Sequence, residues 1–300
     1  MPVIMNQRIA FSSDMAFSRT AIGAIMISFS AVWVKLANVA PAVSAFYRVF
    51  FGALFLSGIL LMRRERVWKG WPNLGLALIA ALFFALDLYA WHRCIGYVGP
   101  GLATILGNFQ VFMVPLAGLL LYGETVHLRF VLSVPVAIGG LFLIVGIDWQ
   151  QLPSDYRVGI YFGLATALFY TGYLVALRKL QSLDSRPSAV LSLMVVSSVS
   201  AVYLAGNVVA SKGSFAIPDL QSGLSLVALG LLSQTIGWLL IAHSLPKIPA
   251  AIAGLLLLLQ PSLSFVWDVL FFGRETSVAA WGGVVLVLGA IYMGATSKRL

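Results

Sequence analysis

The chain has 300 residues, 60% of them hydrophobic and only 10% charged, with a mean hydropathy of +0.97. Soluble chains carry about 25% charged residues, so the composition excludes a soluble enzyme or binding domain and indicates an integral membrane protein. The net charge of +9 comes from lysines and arginines scattered between apolar stretches, not from the clustered basic face of a nucleic-acid binder.

Ten apolar segments can be marked between charges, prolines and glycines, at about 18–37, 42–62, 73–95, 99–122, 127–146, 157–178, 187–209, 221–244, 249–272 and 278–296. They are close to the roughly 20 residues that span a bilayer core. Lipid offers no partner to a backbone amide, so each segment is expected to be an α-helix. The expected fold class is an all-α membrane protein with ten transmembrane helices and no separate soluble domain. The apolar run after Arg19 is too long for a secretory leader and ends without an A-x-A cleavage site. The only cysteine, Cys94, rules out an internal disulfide. No Cys/His spacing suggests a metal, and no cofactor is expected.

Lysine and arginine set the expected orientation. With the N-terminus inside, thirteen of them fall at inner ends and loops, and the run RRERVWKG from Arg63 is the strongest signal. Five fall at outer ones (Lys35, Arg93, Arg157, Lys212 and Arg274), and Arg48 lies within a helix. Both termini are expected in the cytoplasm of a bacterium, in its inner membrane, with residues 1–17 as a cytoplasmic N-terminal segment.

The chain also repeats itself. GLATILGNFQVFMVPLAGLLLYGE follows Pro100, and AAIAGLLLLLQPSLSFVWDVLFFGRE follows Pro249. Each copy has a mid-segment glutamine, Gln110 or Gln260, and closes on Gly123 and Glu124 or on Gly273 and Glu275. At an offset of 140, Gly23, Phe29 and Trp33 fall on Gly163, Phe169 and Tyr173; at 150, Gly139 and Phe142 fall on Gly289 and Tyr292. Pro41 and Pro187 open segments 2 and 7 alike. The expected halves are 18–146 and 157–297, joined by a linker at 147–156. Five helices per half is an odd number, so the halves are expected to be inverted, the architecture used for alternating access.

Over about residues 18–297 this pattern resembles the drug/metabolite transporter superfamily, in its ten-helix EamA-type branch. The resemblance rests on the doubled segment ending in Gly and Glu, on its Ala- and Pro-rich entry, and on Pro261, fourteen residues before Glu275. The first copy has Gln110 and Val111 at the corresponding place and Pro115 four residues later. The aromatic-rich helices look most like those of bacterial aromatic amino acid exporters. The resemblance implies a secondary transporter exporting small amphipathic metabolites, foremost aromatic and other amino acids. Export of lipophilic cations or drugs, and metabolite import, are the alternatives. No HExxH, GxSxG or P-loop motif points to an enzyme or an ATP-driven pump.

A transporter site is expected near mid-membrane, where polar side chains face a cavity instead of lipid. The candidate substrate-binding residues are Trp33, Asn108, Gln110, Tyr170, Tyr173, Gln234, Trp238 and Gln260. Gln234 and Trp238 are four residues apart, which aims an amide and an indole the same way, as with Thr104 and Asn108. The bland account of the amides is interhelical bonding, and that of the aromatic residues is the interfacial belt. Phe29, Phe84, Tyr89 and Trp91 add to the aromatic density. Pro115 and Pro261 are candidate hinges, since a proline removes a helical hydrogen bond and bends its helix. Arg48 and Asp87 lie at similar depth and are expected to pair; an unpaired Asp87 or Asp268 would be a proton or ammonium site. His92 lies nearer a helix end. Glu124 and Glu275 are expected to cap the following helix, and His243 and Ser244 are either cavity residues or helix-end polar groups.

Segments 5 and 10 carry Gly139, Gly140, Gly282, Gly283, Gly289 and Ala290 and few polar residues, which suits close packing. They are expected as scaffold or as a homodimer contact. The expected partners are an amino-acid-like small molecule and the lipid bilayer, with no nucleic acid.

Overall fold

The computed structural model describes residues 2–64, 71–125, 127–145, 155–184, 187–273 and 276–295. Among them every regular element is helical. In chain order these are α1 (Pro2–Ser28), α2 (Ser30–Leu36), α3 (Pro41–Arg63), α4 (Trp71–Gly107), α5 (Gln110–Tyr122), α6 (Leu128–Val145), α7 (Tyr156–Ser182), α8 (Ala189–Ala210) and α9 (Leu220–Ala228). A π-helical stretch (Leu229–Gly237) leads into α10 (Trp238–Ser244), followed by α11 (Ala250–Leu257), α12 (Leu259–Phe272) and α13 (Val278–Ala295). Seven stretches are long and apolar enough to cross a bilayer: Asp14–Leu36, Pro41–Arg63, Leu74–Cys94, Tyr156–Ser182, Ala189–Ala210, Leu220–Lys247 and Ala250–Phe272. Gln110–Tyr122, Leu128–Leu143 and Val278–Gly294 are apolar but shorter. The outside of the bundle is apolar, with Met62, Leu120, Val202, Val278 and Tyr292 exposed, as contact with lipid requires.

The helix boundaries depart from the sequence expectation in five places, one of them the break at Leu258 that divides segment 9 into α11 and α12. α1 reaches back to Pro2, so helix begins well before residue 18. It is interrupted at Phe29, where the Ser264 hydroxyl of α12 donates to Ser28 O (2.9 Å) and Trp267 Nε1 donates to Ser28 Oγ (2.7 Å). The helical assignment runs on through residues 95–99, where a break was expected, and stops instead at Asn108 and Phe109. The chain nevertheless turns back within α4. Cys94 Sγ and Leu106 Cδ1 both border Gly163, 3.1 and 2.6 Å from where a Cβ would stand. Twelve residues of straight helix would hold them about 18 Å apart. The two arms of α4 therefore meet α7 with opposite polarity: Phe84 lies on Tyr173 and Tyr89 on Phe162, whereas Leu106 lies on Gly163 and Gly107 on Thr166, a direction that α5 continues where Tyr122 bonds to Val175.

The fourth departure concerns segment 8, which is π-helical at its centre. There the Thr235 hydroxyl donates to Gly230 O, five residues back, at 2.9 Å. Such π stretches gather at functional sites.

The helices pack in a definite scheme. α4 lies on α7 and α8, α3 on α8 and the π stretch, α1 on α10, the π stretch and α12, α5 on α7 and α11, and α6 on α13. Gly23 of α1 faces Gly237 O at a spacing that leaves no room for a methyl group, which brings those two helices into backbone contact. Of the small residues of segments 5 and 10, Gly140 and Gly283 serve the α6–α13 contact, where Gly140 meets Gly283 O and Val287, whereas Gly139, Gly282 and Gly289 face open space.

Candidate substrate site

The middle of the bundle holds four aromatic rings from three helices. Tyr173 of α7 lies 4.5 Å from Phe84 and 4.8 Å from Trp238, centroid to centroid. Tyr170 completes the group, 6.2 Å from Trp238 and 6.4 Å from Tyr173. The rings pack against one another, and Phe84, Tyr173 and Trp238 are almost fully buried. Helical spacing explains the grouping on α7, because residues three apart share a face. The polar ends are not satisfied in the same way. Tyr173 Oη, Trp238 Nε1 and Gln260 Nε2 are buried without a hydrogen-bond partner. Gln260 sits beside the Tyr170 hydroxyl and brings α12 into the cluster.

A charged layer adjoins the rings. Arg48 of α3 is within electrostatic range of Asp87, Tyr170 and Tyr173. Its Nε donates to Gln234 Oε1 at 3.1 Å, and Gln234 Nε2 donates to Ser197 Oγ of α8, also at 3.1 Å. Gly52 makes this possible, since a Cβ there would overlap the Gln234 side chain. Arg48 and Asp87 do not form the expected ion pair: no direct contact joins them, and no hydrogen bond reaches the Asp87 carboxylate among the described residues. Gln234 fixes the Nε side of the guanidinium and so holds the side chain in one orientation, in which its terminal nitrogens do not meet Asp87. His92 Nδ1 is 2.6 Å from Leu88 O, one turn back on its own helix.

Toward one end of the bundle a second polar group joins α5, α7 and α11. Glu124 accepts from Arg178 through Oε1 and from Ala250 N, at 2.8 Å, through Oε2. Arg178 also donates to Ile248 O at 3.0 Å and lies 4.6 Å above the Tyr122 ring. Glu124 therefore caps α11, on the far half of the chain, rather than the helix that follows it. A carboxylate suits the free amides of a helix N-terminus.

The cluster unites Tyr170, Tyr173, Trp238 and Gln260, with Gln234 one layer away through Arg48. Gln110 of α5 is fully buried with both amide atoms unpaired. Trp33 holds a buried, unpaired indole N–H on α2, which packs against α9, α12 and the π stretch. Asn108 falls at the interruption between α4 and α5. Pro115 lies inside α5, seven residues past that interruption. Pro261 follows the break at Leu258; it has no N–H for Leu257 O, and the Ser262 hydroxyl donates to Leu258 O at 2.9 Å. His243 is exposed beside Lys247, whereas Ser244 is buried with an unpaired hydroxyl. Lys69, Arg186, Arg274 and Glu275 lie outside the described residues, as do the side chains of Thr104 and Asp268. Phe84 and Ser197 gain roles that no motif announced; their signals were the aromatic density of segment 3 and the serines of segment 7.

No group of three or more His, Cys, Asp or Glu able to hold a metal occurs among the described residues. A lipid-facing helical bundle enclosing orphaned polar groups at mid-span defines a membrane transporter. The sequence profile of the EamA-like transporter family matches residues 17–146 and again 157–295. The chain belongs to the EamA-like transporter family; it is a multi-pass membrane transporter and not an enzyme. Its relatives include the pseudopaline exporter CntI of Pseudomonas aeruginosa strain PAO1, 25% identical over 265 residues, with 87% of this chain and 89% of the exporter covered. The exporter of the same name from strain UCBPP-PA14 is 24% identical over the same length and coverage. One solved crystal structure superposes with a TM-score of 0.80 at 20% identity, over 94% of this chain and 99% of its own, and shows the same fold.

Proposed function

We propose that the protein is a secondary transporter of the inner membrane that exports small amphipathic metabolites, amino acids foremost, by alternating access. The observation that carries this reading is the orphaned polar set among the four rings. Burying a polar atom without a partner costs about 1–3 kcal/mol, and such atoms persist where a ligand or water supplies the missing partner. Trp33, Asn108, Gln110, Tyr170, Tyr173, Gln234, Trp238 and Gln260 are the proposed substrate-binding residues, with Pro115 and Pro261 as hinges. The curated relatives are named as exporters, which supports the outward direction.

The topology proposed with it has ten crossings in two inverted halves, 18–146 and 157–297, joined at 147–156, with both termini cytoplasmic. The packing scheme supports this reading. Exchanging the halves turns α4–α7 into the contact of α1 with α10 and the π stretch, α5–α7 into α12–α1, and α4–α8 into the contact of α3 with the π stretch. The pairs α3–α8, α5–α11 and α6–α13 map onto themselves. The double match of the family profile supports it too. The α6–α13 pair is the proposed homodimer surface.

Counterflow of labelled amino acids in proteoliposomes tests the function. Trp238→Ala and Gln260→Ala are expected to abolish most counterflow while expression and detergent monodispersity stay near wild type. Loss of folded protein in parallel with transport would make both residues structural. Absence of counterflow for every amino acid with folded wild-type protein would overturn the substrate class. A second reading, export of a lipophilic cation, is favoured by Asp87, which lies within electrostatic range of Tyr170 and Tyr173 in the ring cluster; a labelled quaternary ammonium in the same assay separates the two.

A further inference from the structure

We infer that Arg48 and Asp87 together read the two charges of a zwitterion. The Arg48 guanidinium takes a substrate carboxylate, Asp87 takes its ammonium, and the rings of Phe84, Tyr170, Tyr173 and Trp238 take its apolar part. This rests on the transporter reading above and specifies the same site.

Two opposite charges on neighbouring helices in a lipid-spanning bundle would ordinarily neutralise each other by direct contact, because an uncompensated charge at that depth is costly. Here they are close enough to interact electrostatically and yet stand apart. Arg48 is not loose: the chain from Ser197 through Gln234 fixes its Nε. That tether leaves both terminal nitrogens, the edge that meets a carboxylate as a fork, without a partner among the described residues. Asp87 likewise has no hydrogen-bond partner among them. The unpaired donors nearby, Trp238 Nε1 and Gln260 Nε2, suit a carboxylate oxygen. A site built for a cation alone has no use for a tethered arginine, and one built for an anion has no use for an unpaired Asp87. Only a ligand carrying both charges satisfies both residues.

The test uses matched triplets on the purified full-length protein. Phenylalanine, leucine and histidine are each compared with the corresponding decarboxylated amine and deaminated acid, and binding is followed by tryptophan fluorescence and thermal stabilisation. At least one amino acid is expected to bind about ten-fold or more tightly than either analogue, the loss expected for one charge-assisted hydrogen bond. Arg48→Gln is expected to remove the preference over the amine, and Asp87→Asn the preference over the acid. Arg48→Lys should retain part of it. Asp87→Asn is not expected to lower the melting temperature in the absence of ligand. If the two residues were a structural pair, Asp87→Asn would destabilise the protein and the Arg48→Gln, Asp87→Asn double variant would recover it; that result overturns the inference. Binding of amine or acid as tight as that of the amino acid also overturns it. If no member of any triplet binds, the zwitterion assignment falls. The transporter reading is then judged separately, by whether cells expressing Trp238→Ala release fewer metabolites than wild type.

Discussion

Glu124 offers the sharpest test of how the protein alternates. In the described state it holds α5, α7 and α11 together through Arg178 and Ala250 N, at the end of the bundle that the proposed topology makes cytoplasmic. The side chains of Arg178 and Glu124 are 11% and 22% exposed, so the pair is only lightly screened. Glu124→Gln keeps an acceptor for Ala250 N and removes the charge facing Arg178. A hydrogen bond to a charged group contributes about 1.5–3 kcal/mol, and opening this end would return both groups to water. The loss therefore falls on the closed state and shifts the closed–open equilibrium by roughly 10–150-fold. Ala253 reports on it: it is 2% exposed and lines a small cleft beneath the ion pair with Val114, Gly118 and Tyr122. In a Cys94→Ala background, Ala253→Cys is expected to react slowly with an impermeant maleimide in inside-out vesicles. Adding Glu124→Gln or Arg178→Gln should raise that rate about ten-fold or more. Unchanged labelling in both variants, with the protein folded, would refute the view that these residues hold the cytoplasmic end shut.

Three further outcomes are expected. Pro261→Ala should straighten the helix across Leu258 by giving Leu257 O a donor, and slow exchange more than it weakens binding; equal losses of rate and affinity in counterflow would assign Pro261 to binding. Gly52→Ala should force a methyl group onto Gln234 and lower stability by about 1–3 kcal/mol, seen as a reduced melting temperature; an unchanged melt would mean that Gln234 moves aside freely. Cysteines introduced at Asp155 and Lys212 should be labelled only from outside, and one at Arg63 only from the cytoplasm, and labelling of Arg63 and Asp155 from the same side would overturn the proposed topology.

Much of the candidate site was legible before any tertiary contact was known. Amides and aromatic rings within otherwise apolar stretches are conspicuous because lipid tolerates few of them, which singled out Tyr170, Tyr173, Gln234, Trp238 and Gln260. The same logic named Trp33 and Gln110, whose polar atoms are also buried and unpaired, on α2 and α5. Burial depth is a property of a segment, whereas convergence is a property of pairs of segments. Arg48 and Asp87 lie within electrostatic range without pairing, and the residue that orients Arg48, Gln234, comes from 186 residues further on.

The sequence by itself determined that the chain is helical and membrane-embedded, because hydrophobic length and the scarcity of charge are local in the chain. Tertiary structure decided which faces meet. These helices are apolar on every side, so no polar stripe reveals in advance which face turns inward. Gly52 opening onto Gln234, Glu124 capping α11 and the four rings closing on one another follow from helix pairing across distant parts of the chain. That pairing is governed by shape and backbone approach, which no single segment encodes.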